Sequence, residues 1–405
     1  MSEENQPKIR FKGFDDPWEQ RKLGDVTEGI SGNDGRTNLP ILTISAGHGW
    51  MDQKSRFSQV IAGKELKNYT LLKRGQLSYN HGNSKLAKFG AVFELHAYNE
   101  ALVPKVYHSF KVNNLSSGTF IDYLFSSKIP DQELRKLVTS GARMDGLLNI
   151  SKNAFFGIKL NFPVKDEQEK IGSLLSLADN LIAANQSKLE QLKKLKKLLM
   201  QKIFSQEWRF KGFNDPWEQR KLGDVVDKVT RKNKNLQSKL PLTISAQFGL
   251  VDQRSFFSKQ VASKNMKNYF LVRKGEFAYN KSYSNDYPWG TIKRLDLYSE
   301  GALSTLYIVF KPLKVVSDFL VAYYDSSFWY KEVSAKATEG ARNHGLLNIS
   351  PQDFFDTKLI IPRSNFEQGK IGNLLKHTNK VIAANQRRLD QLKKVKKYLM
   401  QNMFV

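Results

Sequence analysis

Arg10-Phe-Lys-Gly-Phe-Asp-Asp-Pro-Trp-Glu-Gln-Arg-Lys-Leu-Gly-Asp-Val26 returns as Arg209-Phe-Lys-Gly-Phe-Asn-Asp-Pro-Trp-Glu-Gln-Arg-Lys-Leu-Gly-Asp-Val225. Working outward from this pair, further matches follow in the same order. Thr43-Ile-Ser-Ala46 answers to Thr243-Ile-Ser-Ala246, Lys67-Asn-Tyr69 to Lys267-Asn-Tyr269, and Tyr79-Asn80 to Tyr279-Asn280. Gly141-Ala-Arg143 and Gly146-Leu-Leu-Asn-Ile-Ser151 answer to Gly340-Ala-Arg342 and Gly345-Leu-Leu-Asn-Ile-Ser350, and Ile182-Ala-Ala-Asn-Gln186 to Ile382-Ala-Ala-Asn-Gln386. A period of about 200 residues is the size of a whole domain rather than of a solenoid unit. The chain is a tandem duplication.

Each copy changes texture once. Residues 20–165 are rich in Gly, Asn, Ser and aromatics, with β-like runs at Leu39–Ser45, Gln76–Tyr79 and Ala101–Val112 between turn signals. Helical pieces are expected at Phe120–Ser126 and Pro130–Thr139. Trp18/Trp217, Leu23/Leu222, Leu148/Leu347 and Phe156/Phe355, shared by both copies, are the expected core. After Pro163 the texture becomes helical over Lys165–Phe204. Ile171, Leu175, Ala178, Ile182, Leu189 and Leu192 keep the alternating three-and-four spacing of a coiled-coil seam, with polar Asn185 in line. Ile371, Leu375, Ile382, Leu389 and Leu392 repeat it, with Asn385 in line. A helix of about 38 residues is a rod of roughly 57 Å, too long to bury its stripe against one small globule. The natural solution packs the two helices together, antiparallel if a pseudo-two-fold axis relates the copies, with the two Asn fixing register; the spacing leaves open whether the seam packs within the chain or against another subunit.

The 405 residues carry 64 Lys+Arg against 39 Asp+Glu, a net charge of +25, with 40% apolar and 12% aromatic residues. That length suggests two to four domains with real cores. The charge points to a polyanion partner, nucleic acid before an anionic membrane surface. With no Cys, disulfides, Cys-zinc sites and thiol nucleophiles are excluded, which fits a reducing cytoplasm. The first residues have neither the basic flank nor the apolar core of a signal peptide, and no apolar run reaches membrane-spanning length.

A search for chemistry finds none. There is no phosphate loop, no Gly-x-Gly-x-x-Gly after a strand, no paired zinc histidines and no Asn/Asp-Pro-Pro-Tyr/Phe tetrapeptide of an amino-methyltransferase. Asp356-Thr-Lys358 looks like the tail of a nuclease motif, but its counterpart is Gly157-Ile-Lys159. A duplicated chain without a duplicated catalytic constellation reads as a recognition module or scaffold, needing no cofactor or metal of its own. Where the copies diverge, each half has room to do something different. His81-Gly-Asn-Ser-Lys85 faces Lys281-Ser-Tyr-Ser-Asn285, Met144-Asp145 faces Asn343-His344, and His48 faces Phe248 beside the shared Ser45 and Ser245. These side chains suit base edges: Asn and Gln bond adenine twice, Arg and Lys suit guanine, Asp accepts from cytosine. The candidate DNA-binding set is therefore Ser45, His48, Asn80, His81, Asn83, Lys85, Arg143, Asp145, Ser245, Gln247, Asn280, Lys281, Tyr283, Asn285, Arg342, Asn343 and His344. Arg143 and Arg342, shared by both copies, suit a phosphate. Simple loop drift is the competing explanation for the divergence.

The duplicated entry motif, Lys/Arg-Gly-x-x-x-Tyr-Asn, Gly-Leu-Leu-Asn-Ile-Ser, and the helix that opens Glu-Gln-x-Lys-Ile-Gly and ends Leu-Met-Gln-x-x-Phe resemble the DNA specificity subunit of type I restriction–modification systems. The resemblance covers essentially the whole chain. It implies an α+β fold: a tandem pseudo-twofold repeat of two α/β target recognition domains separated by two long antiparallel coiled-coil helices. The first recognition domain is expected over 1–164, the central helix over 165–207, the second recognition domain over 208–363 and the last helix over 364–405. It further implies double-stranded DNA, two methyltransferase subunits and two restriction subunits as partners, with catalysis left to those subunits. Unlike reading loops imply an asymmetric bipartite target, its half-sites set about 34 Å apart by the rod. The alternative is a stand-alone DNA-binding regulator or architectural protein, which would need no methyltransferase.

Overall fold

A computed structural model describes residues 6–57, 63–82, 84–138, 147–256, 266–337 and 346–405. The chain forms two compact units, Met1–Gln186 with Arg387–Val405 and Ser187–Gln386.

In the first unit, four antiparallel strands lie in the order Thr27–Ile30, His108–Val112, Leu77–Asn80, Ala91–Glu94. The second unit repeats the order with Val226–Lys228, Ile308–Pro312, Phe277–Asn280 and Thr291–Arg294. The expected run Ala101–Val112 is two strands, Glu100–Val103 and His108–Val112. A turn divides them in both copies, closed by Tyr107 N donating to Pro104 O at 3.0 Å and by Tyr307 N donating to Ser304 O at 3.3 Å. The expected helical pieces are Gly118–Ser126 and Asp131–Leu137. Trp18, Leu23, Leu148, Trp217 and Leu222 are buried as expected. The Phe pair is a correction: Phe155 and Phe354 are fully buried, while Phe156 and Phe355 pack half-buried beside them. Stacking decides this, since Phe155 lies 4.3 Å from Tyr79 and Phe354 4.7 Å from Tyr279, ring over ring.

The long helices run over Lys165–Phe204 and Asn365–Asn402. Ile171, Leu175, Leu189, Ile371, Leu375 and Leu389 are buried, with Ile182, Leu192, Ile382 and Leu392 half-buried in line. In the first unit Ile171 and Leu175 share a core with Leu399, Met400, Met403 and Phe404, and Lys396 Nζ reaches Asp179 at 2.5 Å. As one helix advances from 171 to 179 the other retreats from 404 to 396, so the segments are antiparallel. In the second unit Ile371 and Leu375 meet Leu199, Met200, Ile203 and Phe204 in the same sense. Asn185 and Asn385 each donate to a carbonyl of their own helix, Leu181 O at 2.7 Å and Val381 O at 2.9 Å.

Both ends of the helical motif are anchors. The Glu-Gln that opens each helix is buried. Glu167 takes a bidentate pair from Arg10 at 2.9 and 2.7 Å, and Glu367 one from Arg209 at 2.9 and 2.8 Å. Gln168 and Gln368 bridge the loop carbonyls of Pro163 and Pro362 to the Ser117 and Val316 amides. The Phe that ends each motif enters an aromatic core: Phe404, two residues past its helix, lies 5.6 Å from Phe120, and Phe204 5.9 Å from Phe319. Burying such a ring is worth about 2–3 kcal/mol.

Candidate nucleic-acid interface

Tyr79-Asn80 and Tyr279-Asn280 close a strand, and the chain must then travel ten residues before the next strand begins. Both copies build that interval as a tongue. Gly90 and Gly290 end it at φ +85° and +80°, a region that residues with a Cβ rarely adopt. The buried Tyr79 hydroxyl donates to Phe89 O at 2.6 Å, and Tyr279 to Trp289 O at 2.9 Å. Burial pushes both phenols well above their ordinary pKa, so each stays a donor. At the outer end Ser84 and Ala87 exchange backbone hydrogen bonds at 3.1 and 3.2 Å, and Ser284 and Tyr287 do so at 3.2 and 3.1 Å. The tips are thus two residues wide: Lys85-Leu86 in one unit and Asn285-Asp286 in the other.

The tongue is docked sideways onto the strand-like segment that follows the Gly-Ala-Arg loop. Leu148 N donates to His81 O at 2.8 Å, and Leu347 N to Lys281 O at 2.9 Å. In the first unit the Ser45–Gly49 turn joins them. Asn80 Nδ2 donates to Ile44 O at 3.3 Å, and a cavity of about 540 Å³ is walled by both His48 and Leu86. In the second unit Ile244 and Ala278 share one apolar cluster, which brings the strand before Gln247 against the strand before the tongue. Two divergent segments and the flank of the third therefore meet at one place in the first unit.

The expected residues divide into two groups. His48, Lys85, Gln247, Tyr283 and Asn285 are exposed, and Ser45 is half-buried with its Oγ 3.4 Å from His48 Nδ1. Others are braces, contrary to expectation. His81 is buried: its Nδ1 donates to Leu148 O at 2.9 Å, and its ring lies 4.9 Å from His108. His108, which sequence reasoning passed over, donates from Nε2 to Ile150 O at 2.9 Å, and burial lowers its pKa. Ser245 is buried and accepts from Phe248 N at 3.1 Å. Asn80 and Asn280 accept from Gly82 N and Ser282 N, both at 3.0 Å, which makes them turn formers. Lys281 is half-buried, its Nζ 3.4 Å from Ile349 O. Asn83, Arg143, Asp145, Arg342, Asn343 and His344 lie outside the described residues. Leu86 and Asp286 were missed, although setting the two tongues side by side one residue further would have found them.

Asp356, of the nuclease-like tripeptide, forms an exposed ion pair with Lys221 at 3.0 Å. Among the described residues no cluster of three or more His, Asp or Glu could hold a metal ion, and no helix is long and apolar enough to cross a membrane.

No family model matches the chain. Over 114 residues it is 34% identical to the type I restriction enzyme MjaVIII specificity subunit of Methanocaldococcus jannaschii; the match takes in 26% of each chain, about a quarter of that relative's length. Its fold is that of the S subunit of a type I restriction–modification system from M. genitalium, at a TM-score of 0.60 and 15% identity over 99% of both chains. The HsdS subunit from Thermoanaerobacter tengcongensis aligns over 96% of both chains at a TM-score of 0.47 and 15% identity. The resemblance carried by the duplicated motifs is met in sequence over that quarter and in fold over the length of the chain.

Proposed function

We propose that this chain is the DNA-recognition subunit of a type I restriction–modification complex, in which each tongue and its neighbouring segments read one half of an asymmetric bipartite target. The observation that carries this reading is the meeting, in the first unit, of segments that differ between the copies, on a frame the copies share. His48, Ser45 and Lys85 would face one half-site, and Gln247, Tyr283 and Asn285 the other. Asn83, Arg143 and Asp145, with Arg342, Asn343 and His344, would complete the rims.

In this reading 1–164 and 208–363 are the recognition domains, and 165–207 and 364–405 the helices that set their spacing. The net charge of +25 suits binding to phosphates. Two methyltransferase and two restriction subunits supply the chemistry, in the cytoplasm, and this chain supplies the address.

The test is to express the chain with its methyltransferase in a host and sequence the methylated DNA molecule by molecule. A two-part motif with unlike halves is expected. A palindromic motif, or methylation without sequence preference, would refute the reading, and so would failure of the chain to co-purify with a methyltransferase.

A further inference from the structure

The two tongue tips carry opposite chemistry on the same backbone. Lys85-Leu86 presents a cation and an apolar side chain, and Leu86 is 69% exposed. Asn285-Asp286 presents an amide and a carboxylate, both exposed. No described residue forms an ion pair or hydrogen bond with the Asp286 carboxylate, so the fold itself does not require an acid there. On a surface that meets DNA, a carboxylate is repelled by every phosphate within a Debye length, about 10 Å. An acid at the tip of such a tongue weakens binding unless it meets hydrogen-bond donors. In the major groove those donors are the exocyclic amino groups of cytosine and adenine. Adenine sets its N7 acceptor beside the amino group, which repels a second carboxylate oxygen; cytosine sets only C–H there.

We propose that Asp286 is a specificity residue that accepts a hydrogen bond from the N4 amino group of one cytosine in the second half-site. The proposal rests on the reading of the tongues given above and adds the base and the atom. The first tongue has no acid at its tip, so the requirement is confined to one half of the target. Tyr283 and Tyr287 flank the tip at 44% and 36% exposure and give it apolar shoulders against the neighbouring bases.

The experiment uses the full chain in complex with its methyltransferase and profiles methylation over a randomised target library. Wild type, Asp286→Ala and Asp286→Asn are compared, with Lys85→Ala marking the other half-site. Asp286→Ala should relax one C·G pair by roughly 5- to 150-fold, the span of one good base contact, and leave the half-site altered by Lys85→Ala untouched. Asp286→Asn should shift the preference at that same position toward adenine, which Asn bonds at N6 and N7. Replacing that cytosine by N4-methylcytosine in a duplex probe should weaken wild type more than Asp286→Ala. An unchanged motif in Asp286→Ala would overturn the inference and leave the tongues' wider role standing. So would a uniform gain in affinity for all sequences, which would make the acid an electrostatic brake, or a relaxed position whose wild-type base is adenine. A wild-type complex without any sequence preference would overturn the inference together with the function it rests on.

Discussion

Gly90→Ala tests whether the tongue's shape, rather than its composition alone, supports reading. A Cβ at Gly90 would stand 2.5 Å from Asn80 O and 2.5 Å from Tyr79 Cε2. Neither can give way easily. Asn80 is in register with Ala91 across the sheet, and Tyr79 is stacked on Phe155 with its hydroxyl tied to Phe89 O. Gly75 provides the control, because its φ of +83° is nearly the same while the nearest atom to its Cβ is Glu94 Oε1 at 3.8 Å. Both substitutions incur the positive-φ cost, about 1–2 kcal/mol. Only Gly90→Ala adds the overpacking cost, about 1–3 kcal/mol. For a unit of about 200 residues, 1 kcal/mol moves the melting temperature by about 2–4 °C, so Gly90→Ala should melt roughly 2–12 °C below Gly75→Ala. If the tongue detaches instead, the melting temperatures converge but recognition of the first half-site is lost while the second survives. Differential scanning calorimetry and methylation profiling of both variants separate these routes. Equal melting temperatures together with an intact first half-site would refute the argument that Gly90 shapes the tongue.

Glu167→Gln removes the counter-charge of Arg10 from a site where the carboxylate is fully buried and Arg10 keeps 12% exposure. Breaking a fully buried pair costs about 3–5 kcal/mol, so about 2–4 kcal/mol should be lost here, and a shift in urea stability below about 1 kcal/mol would show the pair to be ornamental. Asp122 in the first unit has its carboxyl pushed up to about 7, mainly by burial, which outweighs the hydrogen bond donated by Glu94 N; the Glu94 carboxylate adds to the shift, and His96 and Lys396 oppose it. Its pKa in the unfolded chain is about 3.9, so the folded state holds the proton more tightly. Its contribution is therefore complete below about pH 4 and is lost as pH rises to 7, by at most about 1.4 kcal/mol per pH unit. Asp122→Asn should flatten that slope in a series of urea titrations, and an unchanged slope would remove Asp122 from the account. At Asp325 in the second unit burial raises the pKa, but Lys293 and Lys196 outweigh it and the net shift is downward. Asp325→Asn should accordingly reduce the stability lost on acidification below about pH 4, and an equal acid loss in wild type and variant would contradict that. Inserting four residues into 188–194 adds about 6 Å of helix, and should widen the gap between methylated half-sites by one or two base pairs if the helices act as a ruler. An unchanged gap would argue that they do not.

Much of the fold was legible because it rests on local rules. The helix seam needs only spacing, and Lys165–Phe204 has an uninterrupted pattern and no Pro to break it. The duplication supplied the rest, since two versions of one element filter out accidents. What stayed hidden was decided by partners distant in sequence. Phe155 and Phe156 are chemically identical neighbours on one short helix, and rings distant in sequence, Tyr79 stacked on Phe155 among them, select the one that is buried. Pairing could not be read either: Glu167 meets Arg10 across 157 residues.

Which side chains of the candidate site are free could not be read from the sequence, for a physical reason that the tongues make plain. Comparing the copies marks where side chains are free to differ, and freedom to differ has two sources. His81 differs from Lys281, yet each bonds a carbonyl of the same neighbouring segment, Leu148 O in one case and Ile349 O in the other. Those positions vary because two donors of unlike shape satisfy one structural need. Lys85-Leu86 and Asn285-Asp286 vary where the tip meets solvent, so no acceptor within the fold explains the change. A divergent polar residue is therefore a candidate reader only when the hydrogen bonds of its own fold leave it free. By that criterion the candidate interface, among the described residues, shrinks from whole loops to their tips, to Tyr283 and to the exposed turn residues His48 and Gln247.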